Sequence, residues 1–324
     1  MALTYNDVSA VTVNYISKKF VDNYFKVSPV FVKVFKGICE KDFDGGVQIQ
    51  VPFQYAPLKS GPFAPGSVFD ISYVDTQTAM YFNVKYYYSN ITLQGTQLPL
   101  NRGEAAVMNF IEPKMVNAEQ SLAQALIQDF YKDGQGTISS QIALDGILAG
   151  YDDGTNYATY GGITRSAIGT GASTGINGYF FSNGGVNWPF SLPQLQVAYG
   201  QATFGTNQPN LITTTQSIYN SFWAKMLPIQ RTTSTDPDLQ SAGFRAFMFN
   251  GMAVVVDQYC PAGDMFGMNT DFLDAYISTD RLFAFGFTGF KTLPNSVDMA
   301  GQNCYAGNIV VEAPRLGFVL TNVV

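Results

Sequence analysis

The sequence predicts a mixed α+β fold, and three patterns in it lead to this prediction. Two segments, VQIQVPFQY at 47–55 and TAMYFNVKYYYSNITLQ at 78–94, alternate apolar and polar residues as half-buried strands do. The segment at 101–134 repeats apolar residues at steps of three and four, as an amphipathic helix does. Short strand and helix patterns follow it without an internal repeat or a low-complexity linker. The 324 residues are long enough to bury a substantial core.

The N-terminal part is predicted to be an arm and a projecting hairpin. Residues 1–44 mix β-branched, aromatic and lysine residues without a long periodicity, which favours an extended arm with short helical pieces. Residues 45–100 contain the two alternating strands, joined by the Pro- and Gly-rich segment APLKSGPFAPGSVFD. Pro52 has no N–H to donate, so the first strand is expected to expose an edge there.

Each of the two predicted strands has one face of large apolar and aromatic side chains. The first strand places Val47, Ile49, Val51, Phe53 and Tyr55 on one face, and the second places Met80, Phe82, Val84, Tyr86 and Tyr88 on one face. An isolated two-stranded hairpin is marginal in water, so this hairpin is expected to rest on another surface. Large amphipathic rings are enriched at protein interfaces. The predicted contacts to neighbouring subunits are Lys59, Phe63, Phe69, Tyr73, Tyr81 and Tyr87.

A long helix is predicted to begin near Asn101 and to end by Gly134. Its apolar stripe consists of Met108, Ile111, Met115, Ala118, Leu122 and Leu126. Pro113 interrupts the pattern, and a proline inside a helix costs about 3 kcal/mol and bends the axis. Either the helix bends at this proline, or the main rod starts at Glu112.

The remaining sequence predicts alternating short helices and strands. Helices are expected around SSQIALDGILAG (139–150), in SLPQLQVAYGQAT (191–203) and in TQSIYNSFWAKM (215–226). Strands are expected at NLITTT (210–215), FRAFMFN (244–250), MAVVVD (252–257) and MFGMN (265–269). A helix-like segment is expected to open near Thr270, and the tail NIVVEAPRLGFVLTNVV (308–324) is expected to close the fold with one or two strands.

Catalytic chemistry is not indicated by the sequence. The chain has no histidine, which excludes Ser-His and Cys-His nucleophiles and removes the commonest transition-metal ligand. Cys39, Cys260 and Cys304 form no CxxC pair and are expected to be buried thiols. The carboxylates Asp257 and Asp264 are expected to raise the pKa of Cys260. We therefore predict no catalytic residue.

Metal and nucleotide sites are not indicated either. Asp152 and Asp153 lie in GYDDGTNYATYGG, where glycine and asparagine favour a surface turn, and no glutamate follows at the calcium-loop distance. The segment GTGASTG at 169–175 lacks the Lys-Ser/Thr ending of a P-loop. No cofactor and no metal is predicted.

Composition points to assembly instead. Charged residues are only 13% of the chain while aromatic residues are 15%, so a monomer would expose large apolar patches, which usually mark a contact. A net charge of −6 argues against gripping nucleic acid through a basic face. The first twenty residues do not resemble a signal peptide, and no apolar run reaches the roughly 18 residues of a membrane span.

The order of these elements resembles the major capsid proteins of tailed bacteriophages with the Hong Kong 97-type fold. The resemblance rests on NLITTTQSIYNSFWAKMLPIQR, on GFRAFMFNGMAVVVDQYCPAGDMFGMNTDFLDAYI and more weakly on LDGILAGYDDGTNYATYGGITRS. Together with the arm, hairpin and long helix it covers essentially the whole chain.

The resemblance implies a structural protein that is not an enzyme and that assembles with itself, through hexamers and pentamers, into an icosahedral shell around double-stranded DNA. It implies an N-terminal arm (1–44), an extended loop over a neighbour (45–100), a peripheral domain with a spine helix (101–140), an axial domain (141–304) and C-terminal strands that return to the peripheral domain (305–324). A portal protein is an implied partner, as are a scaffolding or decoration protein, and the implied location is a virion assembled in the bacterial host cytoplasm. Some members cross-link a hairpin lysine to an asparagine; Lys59 lies near the tip here, with no specific partner indicated.

Two other interpretations remain open on sequence alone. An encapsulin-like compartment uses the same fold to enclose protein cargo. A carboxylate-based hydrolase or a glycan-binding protein belongs to a different class, although the scattered carboxylates cannot be paired into the 5 to 9.5 Å arrangement of a glycosidase. Particle mass separates a shell protein from a hydrolase, because a shell protein forms megadalton assemblies and a hydrolase forms a small oligomer.

Overall fold

The computed structural model describes residues 28–35, 39–96, 111–134, 142–168, 176–226, 247–294 and 296–324. The α-helices within these ranges are α1 (Pro29–Phe35), α2 (Ile111–Phe130), α3 (Ile147–Gly150), α4 (Arg165–Ile168), α5 (Leu192–Ala202) and α6 (Gln216–Met226). Its strands are β1 (Glu40–Phe43), β2 (Gln48–Gln54), β3 (Gln77–Asn83), β4 (Lys85–Leu93), β5 (Thr159–Tyr160), β6 (Ile163–Thr164), β7 (Tyr179–Phe181), β8 (Leu211–Thr214), β9 (Phe247–Phe249), β10 (Met252–Val256), β11 (Met265–Met268), β12 (Leu273–Ser278), β13 (Ala284–Phe287), β14 (Lys291–Thr292), β15 (Met299–Val311) and β16 (Phe318–Leu320). The predictions for 1–27, for the start of the long helix at 101–110 and for GTGASTG lie outside the described residues.

The first sheet is built around the thirteen-residue strand β15. One edge of β15 pairs antiparallel with β4, and the other edge pairs antiparallel with β12, β13 and β14. Strand β1 extends this sheet by pairing parallel to β12. The predicted boundary at residue 304 falls inside β15, so it does not coincide with a boundary between sheets.

The second sheet has the order β7-β16-β11-β8-β10-β9 and is buried on both faces. Ile212, Val254 and Met265 face a core formed with α5 and α6, whereas their neighbours Val255 and Phe266 face a larger core. Burial on both sides explains why these strands are continuous apolar runs rather than alternating ones. The last strand, β16, pairs with β11 and β7 in this sheet, and its assignment to a peripheral or an axial domain stays a prediction.

The larger core lies between the two sheets, α1, α2 and the base of the hairpin. The described part of the long helix covers Ile111–Phe130 and includes Pro113. Residues 101–110 lie outside the described residues, so a bend at Pro113 and a rod that starts at Glu112 both stay predictions. Ala118, Leu122 and Leu126 of the predicted stripe are buried.

The predicted hairpin strands are confirmed, with β2 and β3 paired antiparallel from Gln48↔Asn83 to Gln54↔Gln77. The predicted single face from Met80 to Tyr88 is wrong, because the strand breaks at Val84 and β4 joins the first sheet. After the break the inward parity reverses, so that Tyr86 and Tyr88 are exposed and Tyr87 points inward.

The helix-like segment expected near Thr270 is also wrong. A single 3-10 turn covers Thr270–Phe272, and β12 follows at once. Leu273, Ala275 and Ile277 are buried at a spacing of two, and β12 has a partner on each edge, so strand pairing decides the conformation. The helices predicted at 191–203 and 215–226 and the strands predicted at 210–215, 252–257 and 265–269 are confirmed.

Candidate assembly surface

The tip of the hairpin, residues 55–76, is the most exposed apolar segment of the described chain. It contains no helix or strand, and its ends are joined by a hydrogen bond from the Tyr55 N–H to the Thr76 carbonyl at 3.1 Å. Large apolar side chains project from it into solvent, including Val68 at 96% exposure and Ile71 at 92%. Such a concentration of exposed apolar surface is typical of a binding surface.

Internal contacts give the tip a defined shape. Lys59 Nζ bonds to both the Asp70 carboxylate and the Ser72 hydroxyl, which joins the two legs of the tip. Phe63 and Phe69 pack edge to face with ring centroids 5.1 Å apart. The ammonium group of Lys59 and the Ser72 donors lower the pKa of Asp70 to about 2. Asp70 therefore stays ionised over the whole physiological pH range.

Four of the six predicted contact residues lie together on this tip. Lys59, Phe63, Phe69 and Tyr73 are all exposed, and Tyr73 is 91% exposed. Tyr81 lies on the outer face of β3, where its hydroxyl accepts a hydrogen bond from Gln50 Nε2 at 3.4 Å. The prediction did not include Leu58, Val68 and Ile71, although apolar residues inside a Pro- and Gly-rich loop were the available signal.

Tyr87 is in a different environment from the other five candidates. Its ring is half-buried and packs edge to face on Tyr305, with ring centroids 6.2 Å apart. Its hydroxyl donates to Asp129 Oδ2 at 2.7 Å and accepts the N–H of Leu144 at 2.8 Å. The hydroxyl of Tyr87 is bonded inside the subunit, and a contact of its half-buried ring with a neighbouring subunit stays a prediction.

Cys260, beside the tight turn that precedes β11, is a buried free thiol. Its thiol is buried, and burial together with the charges of Asp264 and Asp257 raises its pKa well above the ordinary value. Asp257 accepts hydrogen bonds from the Ser28 and Tyr131 hydroxyls and from the Tyr259 N–H. These bonds attach the start of α1 to the end of β10. The expectation that both carboxylates raise the pKa of Cys260 is confirmed.

The predicted surface turn is wrong for Asp152, which is buried, while the bend that follows it at 154–156 reaches the surface. The Asp152 carboxylate accepts backbone N–H bonds from Gly154, Asn156 and Tyr157 at 2.8, 3.2 and 3.0 Å. Within the described residues, no group of three or more His, Cys, Asp or Glu side chains could hold a metal ion. No helix in the same described ranges is long and apolar enough to cross a membrane.

Solved phage capsids share this architecture over the full length of the chain. The protein of the cyanophage A-1(L) capsid asymmetric unit aligns with a TM-score of 0.72 at 14% identity, covering 99% of each chain. The fold is that of phage major capsid proteins. The capsid of the native GTA particle aligns with a TM-score of 0.66 at 8% identity, covering 99% of this chain and all of that one.

An encapsulin also shares the fold. The holo-SrpI encapsulin complex from Synechococcus elongatus aligns with a TM-score of 0.61 at 8% identity, covering 100% of this chain and 96% of that chain. No family model matches the sequence. No curated protein matches it either. Because the sequence identities are this low, the structural similarity establishes the capsid fold alone. The function must be argued from the surface of the subunit.

Proposed function

We propose that this chain is the major capsid protein of a tailed phage, which assembles through hexamers and pentamers into an icosahedral shell around double-stranded DNA. The observation that carries the proposal is the hairpin tip. Leu58, Phe63, Phe69, Ile71 and Tyr73 are exposed there on a loop whose shape is set by its own contacts. In a monomer this apolar surface stays exposed to water, which is unfavourable, whereas contact with a second copy of the chain can bury it.

The proposal gives each part of the fold a place in the shell. The tip and the hairpin, within 45–100, lie over a neighbouring subunit, and the rod α2 with the first sheet forms the peripheral domain. The second sheet with α5 and α6 forms the axial domain. Because β15 pairs with β4 on one edge and with β12, β13 and β14 on the other, we assign 273–311 to the peripheral domain and β16 to the axial domain.

The composition supports a shell that does not bind its contents strongly through positive charge. A net charge of −6 does not favour binding to DNA phosphates. The chain therefore encloses the genome without sequence-specific contacts to it. The main partner is the chain itself, and a portal protein completes the particle. A scaffolding or decoration protein is the proposed additional partner. The proposed location is the virion, assembled in the cytoplasm of a bacterial host.

A compartment shell is the second candidate, because the encapsulin fold covers the whole chain at a TM-score of 0.61. The two candidates differ in what the particle contains. A phage shell holds nuclease-protected double-stranded DNA, and an encapsulin-type shell holds protein cargo.

The test is to express the chain alone and to examine it by light scattering and negative-stain electron microscopy. Closed shells of megadalton mass are the expected result. Monomers or dimers at every salt concentration would contradict self-assembly by the chain alone. Particles purified from the native source are then treated with nuclease, and protected DNA supports the phage capsid whereas a protein cargo supports the compartment.

A further inference from the structure

A short two-stranded segment at 159–164, which we name the bracket, holds the base of the hairpin. The bracket consists of β5, β6 and the turn of Gly161 and Gly162 between them. The Gly161 carbonyl accepts the N–H of Tyr81 at 2.9 Å. Phe82 packs edge to face on Tyr160 with ring centroids 5.3 Å apart, and both rings are buried.

The bracket itself is fixed to the body of the subunit. The Tyr160 hydroxyl accepts the N–H of Val311 at 2.9 Å, which ties it to the central strand of the first sheet. The N–H of Arg165 donates to the Ala158 carbonyl at 2.9 Å, and its guanidinium lies over the Tyr160 ring at 5.4 Å. The bracket is therefore a rigid support, because each of its ends is bonded to buried structure.

Gly161 is the glycine of the bracket that packs closely against the hairpin. A Cβ atom added to Gly161 would lie 2.7 Å from Met80 Cβ and 3.0 Å from Phe82 Cζ. A Cβ atom added to the adjacent Gly162 would have nothing within 4 Å. Both glycines have positive φ, 56° and 75°, so they share the same backbone demand. They differ in whether the hairpin packs against them.

Open space lies beside this contact. A cavity of about 420 Å³ is lined by the bracket and by the hairpin base, together with Lys85, Asp133 and Asp145. Strand pairing is interrupted at Val84, between β3 of the hairpin and β4 of the first sheet. The bracket supports the hairpin base on the side of this cavity, in addition to the buried side chains of Met80 and Phe82 in the larger core and the hydrogen bond from Asn308 Nδ2 to the Asn83 carbonyl at 2.8 Å.

We infer that the bracket sets the direction in which the hairpin leaves the subunit, and that Gly161 and Tyr160 are positioning residues for the tip. The consequence for shell assembly rests on the proposed function, whereas the direction of the hairpin is a property of the single subunit. A hairpin aimed before contact reaches its neighbour without first losing orientational freedom, which favours association.

The first test measures the direction of the hairpin in the full-length subunit. Spin labels are attached at Ser67→Cys on the tip and Asn90→Cys on β4, in a Cys304→Ser background that removes the half-buried thiol. Pulsed electron resonance reports the distance between the labels. Gly161→Ala is expected to displace or broaden this distance distribution, because its methyl group pushes Met80 and Phe82 away.

Gly162→Ala is the matched control, because it imposes the same left-handed strain without a hairpin contact. It is expected to keep the wild-type distance distribution. Equal displacement in both variants would assign the effect to backbone strain and overturn the inference, and an unchanged distribution in Gly161→Ala would overturn it as well. Met80→Ala loosens the contact from the hairpin side and gives a second reading if Gly161→Ala does not fold.

Assembly yield by light scattering is the second readout. Gly161→Ala is expected to lose shell yield relative to Gly162→Ala at equal subunit concentration. If the wild-type chain forms no shells, the proposed function fails while the label distances still decide the inference. If the wild type assembles and the two variants assemble equally, the positioning role in assembly is overturned.

Discussion

The Tyr87 hydroxyl donates a hydrogen bond to Asp129 Oδ2 at 2.7 Å and so joins strand β4 to the last turn of α2. The same oxygen accepts the Leu144 N–H at 2.8 Å. Burial and the Asp129 carboxylate raise the pKa of Tyr87 far above its usual value, so the hydroxyl remains a proton donor. Tyr87, which the sequence analysis predicted as a contact to a neighbouring subunit, thus connects β4 to α2 and to Leu144 inside its own subunit.

Tyr87→Phe is expected to lower the free energy of unfolding by about 1–3 kcal/mol, because the Leu144 N–H and the Asp129 carboxylate lose their partner. Urea denaturation of the unassembled subunit measures this change. Tyr88→Phe is the control, since Tyr88 is exposed and its variant should stay within about 0.5 kcal/mol of wild type. If the two variants are equally stable, the Tyr87 hydrogen bonds contribute nothing.

Arg165 organises the segment around the bracket through main-chain carbonyls. Its guanidinium donates to Asp152 O at 2.8 Å, to Ile176 O, to Ala149 O at 2.5 Å and to Gly150 O at 3.3 Å, and the side chain is buried.

Arg165→Met removes the guanidinium donors from the carbonyls of Ala149, Gly150 and Ile176, and each lost bond costs about 1–3 kcal/mol, whereas the Asp152 carbonyl keeps the Gly178 N–H at 3.0 Å. The variant is expected to be largely insoluble, while Arg165→Lys, which keeps a charge but not the planar fork, should fold with a lower melting temperature. Soluble yield and thermal unfolding measure the two effects. A soluble Arg165→Met subunit with the wild-type melting temperature would show that the carbonyls find other donors.

Asp264 makes stability depend on pH. Burial raises its pKa to about 7, whereas the same carboxyl in an unfolded chain titrates near pH 4. Between these values the native state holds a proton that the unfolded state has released, so stability falls as pH rises from about 4 to 7. Above pH 7 the buried charge is fully present and its destabilising effect is greatest.

Asp264→Asn removes this charge. The variant is expected to be more stable than wild type at pH 8 and to differ little from it near pH 4. Urea midpoints of both proteins at pH 4, 6 and 8 test the sign. A stability difference that is independent of pH would mean that the carboxyl of Asp264 does not titrate in this window.

Much of the fold was predictable where periodicity alone decides burial. The alternation in 47–55 predicted β2, and its partner β3 followed from the same pattern, with Ile49 opposite Phe82 in the buried face. The stripe of α2 was predictable for the same reason. The break at Val84 was not, because aromatic residues occur both before it at 81–82 and after it at 86–88, and only pairing with β15 shows that the inward face changes there.

Other features depend on partners distant in sequence. Strand β1 has the polar sequence EKDF and is largely exposed, so nothing local indicates a strand, and it forms because β12 offers an edge. β12 itself was mistaken for a helix although Leu273, Ala275 and Ile277 show a period of two. The apolar tip was predictable as a surface, whereas the bracket that supports it joins residues some 80 positions apart in sequence.

The contribution of the tip to assembly is tested by Phe69→Ser. Phe69 is 63% exposed and lies at the tip, while Val186 is 64% exposed and lies outside it, so Val186→Ser is a matched control. Both substitutions should leave subunit stability within about 0.5 kcal/mol of wild type, because neither residue is buried in the subunit.

The two variants are expected to differ in assembly. An aromatic anchor at the centre of an interface contributes about 2 kcal/mol or more, which raises the subunit concentration needed for assembly by more than about tenfold when it is lost. Light scattering against subunit concentration measures this threshold for each variant. Phe69→Ser should raise it and Val186→Ser should not. If the thresholds coincide, the tip does not contact a neighbour through Phe69, and the exposed apolar residues need another partner.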